Sequence, residues 1–212
     1  MPTSETHQAM FPLSTVLFPH AELPIHIFEP RYQALVADVM AGSKEFGTVL
    51  ISAGSEVGGG EKRTNIGTLL RVEMAVPFDD GRWMLVTRGI ERIKVLEWLE
   101  DDPYPKAIVE PHPGSDFSGD PELIDTAAAS LRRVRMLLSE LDEGPCGPID
   151  IDLSDDPMRA SWMACALAPL GLIDAQQLLE CTDPVERLTQ LIELCRARIT
   201  DLQHLLSESG NA

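Results

Sequence analysis

FPLSTVLFPHAELPIHIFEPRY, residues 11–32, sets Pro12, Pro19, Pro24 and Pro30 among valines, leucines, isoleucines and phenylalanines. Proline removes a backbone donor and fixes φ, so it marks the ends of elements rather than their interiors. The stretch therefore divides itself. Residues 13–18 read as a short apolar strand, PHAE as a turn, and residues 24–28 as a second strand. Pro30 stands at a favourable first helical position, and RYQALVADVMAG continues the helix with Leu35, Val36, Val39 and Met40 until Gly42 ends it. Within the second strand, His26 alternates with Ile25 and Ile27 and is expected on the polar side.

Downstream the β punctuation persists. FGTVLIS (46–52) is an apolar strand buried on both faces, and AGSEVGGGEKRTN (53–65) a glycine-rich, solvated loop. IGTLLRVEMAVPF (66–78), DDGR (79–82) and WMLVTRG (83–89) make a strand, a tight turn and a return strand. Residues 90–100 mix periods but are rich in β-branched side chains, and KAIVEPH (106–112) closes the series.

Beyond PGSDFSGDPE the pattern is helical. Three Asp-Pro pairs, at Asp120, Asp156 and Asp183, each supply an N-cap and a first-turn proline. IDAQQLLE adds a short helix before the third pair. The last helix carries Val185, Leu188, Ile192, Cys195, Ile199, Leu202 and Leu206 at alternating spacings of three and four, a seam that packs on the preceding helices of the same chain. The expected organisation is a disordered tail over 1–9, a β-rich unit over 10–112, a linker over 113–122 and a helical subdomain over 123–208. The fold class is α+β.

Of 212 residues, 34 are acidic and 17 basic, giving a net charge of −17. Residues 1–113 hold 10 basic and 16 acidic side chains, net −6, whereas residues 114–212 hold 7 and 18, net −11. Such a balance argues against phosphate backbones and anionic lipid as partners. No apolar run approaches the roughly 20 residues of a membrane span, and MPTSETHQA is no secretory signal, so the chain is expected in the cytoplasm. Cys146, Cys165, Cys181 and Cys195 form no close pair, and His7, His20, His26, His112 and His204 no metal-binding spacing. No cofactor or metal is expected.

Motifs for catalysis are equally lacking. GGGEKRT places Glu61 where a phosphate-binding loop needs glycine directly before lysine. No GxSxG elbow exposes a serine. The acidic pairs Asp79/Asp80, Asp101/Asp102 and Asp155/Asp156 lie in turns or beside prolines, where aspartate caps backbone donors.

In order, these residues resemble the amino-terminal domain of Lon proteases, found also as stand-alone proteins and inside cereblon. The opening stretch is similar to that family's PL…VLFPG…PL.IFE.RY signature. Gly67, Thr68, Asp80, Gly81, Arg82, Gly89, Arg92 and Val95 match a second block. Gln177, Leu178, Leu179, Glu180, Asp183, Arg187 and Leu188 match the helical part, so the likeness covers residues 10–206. His20 departs from it, standing where many members have glycine, and a looser turn is expected there. The resemblance implies a PUA-like pseudobarrel followed by a helical bundle. It also implies a non-catalytic module that binds polypeptide substrates or a protein partner, without the ATPase and serine–lysine peptidase of full-length Lon. Phe18, Phe78 and Trp83, near strand ends, are the candidate contact residues. The alternative is a small-ligand protein or enzyme using a cleft between barrel and helices. RNA binding, known for PUA-like barrels, is disfavoured by the charge and by the want of a basic, aromatic-rich strip.

Overall fold

The computed structural model of the chain describes residues 6–54, 61–141 and 149–209, and the chain divides into two compact units at Pro113–Gly114. Among the described residues, the first unit is a six-stranded antiparallel sheet with one helix. In chain order it holds β1 (Thr6–Ala9), β2 (Glu22–Ile27), α1 (Pro30–Ala41), β3 (Glu45–Ala53), β4 (Lys62–Pro77), β5 (Trp83–Trp98) and β6 (Lys106–Pro111). The strands run β1-β6-β5-β4-β3, with β2 laid beside the first half of β5. The long β5 serves two neighbours on one edge, β2 along residues 83–88 and β6 along residues 93–98.

The sheet curls until its edges meet. The Gln8 side chain in β1 donates to the Glu45 carbonyl in β3, and Met10 bridges Gly47. Residues 6–9 are thus not part of a disordered tail but an edge strand paired with β6, while residues 1–5 lie outside the described residues.

Residues 13–18 are a second correction. They form no strand; the chain runs parallel to β3 as far as Leu13, held by Leu13 N–H to the Val49 carbonyl and Ile51 N–H to the Leu13 carbonyl, and bends at Ser14 and Thr15. Its remaining carbonyls need donors, since buried backbone acceptors are costly to leave unmade. Buried threonines provide them: Thr48 Oγ1 donates to Phe11 at 2.8 Å and Thr68 Oγ1 to Leu17 at 2.5 Å. The apolar side chains of the segment, Phe11, Leu13 and Leu17, enter one core with Ile25, Ile27, Tyr32, Leu35, Phe46, Leu70 and Leu85. A second core gathers Met10, Val49, Ile93, Val95, Ala107 and Val109.

The turn after this segment is as tight as glycine would make it. His20 takes φ 68°, the left-handed conformation, behind Pro19, and Ala21 N–H reaches the Phe18 carbonyl at 3.2 Å. The expectation of a looser turn is therefore overturned. Of the loop expected over 53–65, residues 55–60 lie outside the described residues and residues 62–65 already belong to β4.

The second unit holds α2 (Glu122–Glu140), α3 (Pro157–Leu167), α4 (Leu172–Glu180) and α5 (Pro184–Ser209). The Asp-Pro devices at Asp156 and Asp183 act as read, whereas α2 begins one residue later than expected, at Glu122, with Pro121 at its cap position. Asp156 Oδ1 accepts from Met158 and Arg159 N–H, Asp183 Oδ1 from Val185 N–H, and Asp120 Oδ1 from Glu122 N–H. The α5 seam buries Leu188, Ile192, Cys195 and Leu202, with α5 packed on α2. At its start the fully buried Arg187 stacks on Trp162 at 3.3 Å and donates to Ser161 Oγ and the Cys181 carbonyl. The Gly-Pro break expected between α2 and α3 lies outside the described residues.

Candidate functional site

The first unit carries an exposed apolar strip, and its origin is the pleat of three neighbouring strands. On β2, Leu23, Ile25 and Ile27 turn inward, so Pro24, His26 and, just past the strand, Phe28 turn out. On β5, Leu85 and Thr87 turn inward, so Met84, Val86 and Arg88 turn out. The registers set His26 beside Met84 and Met84 beside Val76, so one row crosses all three strands.

β4 joins the strip only through a bulge. Leu70 and Val72 face inward, and strict alternation would bury residue 74 as well. The register shifts between Val72 and Met74, leaving Glu73 as the extra residue. Beyond it the parity is reversed: Ala75 packs on the core, and Met74, Val76 and Phe78 face solvent. Phe28 is 53% exposed, Met74 59%, Val76 43%, Phe78 43% and Met84 37%. The five lie on one face.

Both ends of the strip are charged. At one, Arg88 pairs with Glu22 and, at 3.2 Å, with Glu73. At the other, the hairpin turn folds by Phe78 N–H to the Arg82 carbonyl and Gly81 N–H to the Phe78 carbonyl, with Gly81 at φ 85°. Arg82 lies 5.7 Å from the Phe78 ring and pairs with Asp80. The Arg82 backbone N–H, with its guanidinium, holds the Asp80 carboxyl below the usual carboxylate range. Between the ends, the His26 ring lies 6.2 Å from that of Phe28 and 6.3 Å from that of Phe78. His26 is exposed as its alternation predicts, but the face it shares is apolar, not polar.

Along the outer edge of β2 the strip opens into a cavity of about 240 Å³. Pro12, Leu13 and Thr15 form one wall, β2 and Phe28 another, and Tyr32 the floor. Burial there pushes the Tyr32 hydroxyl up to about 12. The surface offers burial rather than bond-making. Covering side chains already about half buried is worth about 1 kcal/mol each. Five such contacts, less the cost of association, would amount to a weak affinity with little demand on sequence. Methionines at two of the five positions suit that use, because their flexible thioethers repack against different shapes.

The three residues singled out from the sequence are not brought together. Phe78 stands in the strip. Trp83 faces the opposite side and packs against the core, and Phe18 is 4% exposed. Sequence reading missed Phe28, Met74, Val76 and Met84. The alternation of ELPIHIF signals Phe28, whereas nothing in VEMAVPF marks the reversal at Glu73.

The comparisons with known proteins bear on this surface. The family profile of the ATP-dependent protease La (LON) substrate-binding domain matches residues 8–197. The Lon protease of Desulfovibrio desulfuricans is 28% identical over 179 residues, covering 82% of this chain and 20% of that protein. The Lon protease of Anaeromyxobacter dehalogenans is 25% identical over 184 residues, covering 85% of this chain and 22% of that protein. The chain thus spans about a fifth of the length of these relatives. A crystal structure of a Lon N-terminal domain protein from Xanthomonas campestris superposes with a TM-score of 0.64 at 28% identity, over 89% of this chain and 98% of that one. The N-terminal domain of a Mycobacterium avium complex Lon protease, 18% identical, shares the fold with a TM-score of 0.62 over 90% of this chain and 98% of that one. What the chain matches is the non-catalytic part of Lon, and it belongs to the Lon substrate-binding domain family.

Proposed function

We propose that the domain captures unfolded or flexible polypeptide segments on the β2–β5–β4 strip, in service of proteolysis or quality control in the cytoplasm. One observation carries the reading: a chain of net charge −17 leaves Phe28, Met74, Val76, Phe78 and Met84 exposed on a single face. Contiguous exposed apolar surface on a protein this polar marks an interaction site. The family supports polypeptide as the partner, and the acidity disfavours nucleic acid. The free thiols of Cys165 and Cys195 suit a reducing compartment.

The test is titration with a permanently unfolded polypeptide, such as reduced and carboxymethylated α-lactalbumin, followed by anisotropy. Binding is expected in the weak range, and Met74→Ser/Phe78→Ser is expected to weaken it about tenfold, near 1.4 kcal/mol. Both side chains are surface-exposed, so the thermal midpoint should hardly move. Equal affinity in the native and substituted proteins would remove the strip from the account.

A further inference from the structure

The helical unit carries a second surface of different chemistry. An open groove of about 660 Å³ runs between α4 and the first half of α5. Its accessible apolar lining is the half-buried Leu194 and the exposed Ala197, while Leu178 beside them is fully buried. Its rim is acidic: Asp174 and Glu180 come from α4, Glu186 and Glu193 from α5, and neither lysine nor arginine lines it. Glu186, Gln190, Glu193, Leu194 and Ala197 recur at helical spacing, so they form one unbroken face about 16 Å long. Glu186 and Glu193 stand two turns apart, about 10 Å, on either side of Gln190.

We propose that this groove docks a basic amphipathic helix of another protein, with Lys or Arg two turns apart meeting Glu186 and Glu193 and an apolar side chain between them lying over Leu194 and Ala197. Helix-in-groove recognition needs an apolar floor, and a single-sign rim selects and orients the partner. Charge decides among occupants. The half of the chain that contains the groove, residues 114–212, carries net −11. A second copy brought by its own helical unit would set carboxylate against carboxylate, whereas a cationic helix gains at every rim position.

Cys181 lines the groove, half-buried, and supplies a local reporter. The probe is a leucine–lysine helical peptide of about 14 residues, four turns, with lysines two turns apart; its leucine–glutamate counterpart is the control. Binding of the lysine peptide should slow alkylation of Cys181, followed residue by residue by mass spectrometry, and should weaken steeply with salt. Glu186→Gln/Glu193→Gln is expected to lower affinity about tenfold. Glu91→Gln/Glu97→Gln, an equal charge change on the sheet, and Phe78→Ser, on the strip, should leave it unchanged. Four results would overturn the proposal: unprotected Cys181, equal binding of the glutamate peptide, an equal loss in the Glu91/Glu97 pair, or a groove filled by a second copy, seen as a concentration-dependent mass. Because Cys181 protection is read in the unsubstituted protein, it stands whether or not the variants fold. Loss of unfolded-polypeptide binding in the strip variant would leave this groove untouched, and the reverse.

Discussion

At the scale of single residues, the buried threonines explain how an irregular segment survives inside a β unit. Thr68 is fully buried, and its hydroxyl provides a hydrogen bond to the Leu17 carbonyl. Thr68→Val keeps the shape and removes the donor, so it should destabilise the fold by about 1–3 kcal/mol, measured by urea unfolding. A change under a few tenths would mean that the Leu17 carbonyl is satisfied elsewhere. Glycine is demanded at the neighbouring position for another reason: a Cβ on Gly67 would sit 1.9 Å from the Thr48 carbonyl oxygen, too close for any side chain. Such constraints were half legible. Gly67 and Thr68 stand out through the family resemblance, but their partners lie far off in sequence and no local pattern names them. Arg187 is similar: the family resemblance marks its position, and only the fold shows it buried and stacked on Trp162.

At the scale of elements, helices were the most legible. Asp-Pro pairs act through the backbone amides immediately following, so the signal and its effect lie within three residues. Strand existence was nearly as clear, from alternation and turns. Strand facing was not. A bulge is settled jointly by two strands, and the alternation of one cannot reveal it. Residues 13–18 failed for a related reason: they have strand composition, but their donors and acceptors are spent on β3 and on side-chain hydroxyls. The bulge yields its own test. Deleting Glu73 should remove only the extra residue, so Met74 follows Val72 directly as the outward side chain, with Ala75 still inward and Val76 and Phe78 still outward. The variant is expected to keep unfolded-polypeptide binding, read by the same anisotropy titration. Loss of that binding would show that the strip depends on the local geometry of the bulge.

At the scale of the whole molecule, protons held by buried groups link both units to alkaline pH. Burial raises Tyr32 in the sheet unit from 10.0 to about 12, and Cys165 and Cys195 in the helical unit from 9.0 to about 12 and about 11. Each is neutral when protonated, and the folded chain holds that proton more tightly than the unfolded one. Stability from these groups is therefore complete below about pH 9 and is lost as pH climbs toward 12. Urea midpoints should fall between about pH 8 and about pH 11, with Cys165→Ala flattening the descent in the helical unit. A level profile would contradict the burial of these groups. The parity reversal at Glu73 also has a consequence for descent. Because the bulge takes up one residue, a codon can be gained or lost at that point while the same side chains stay on the outer face. The strand can thus drift in length there without trading its outer face for its inner one.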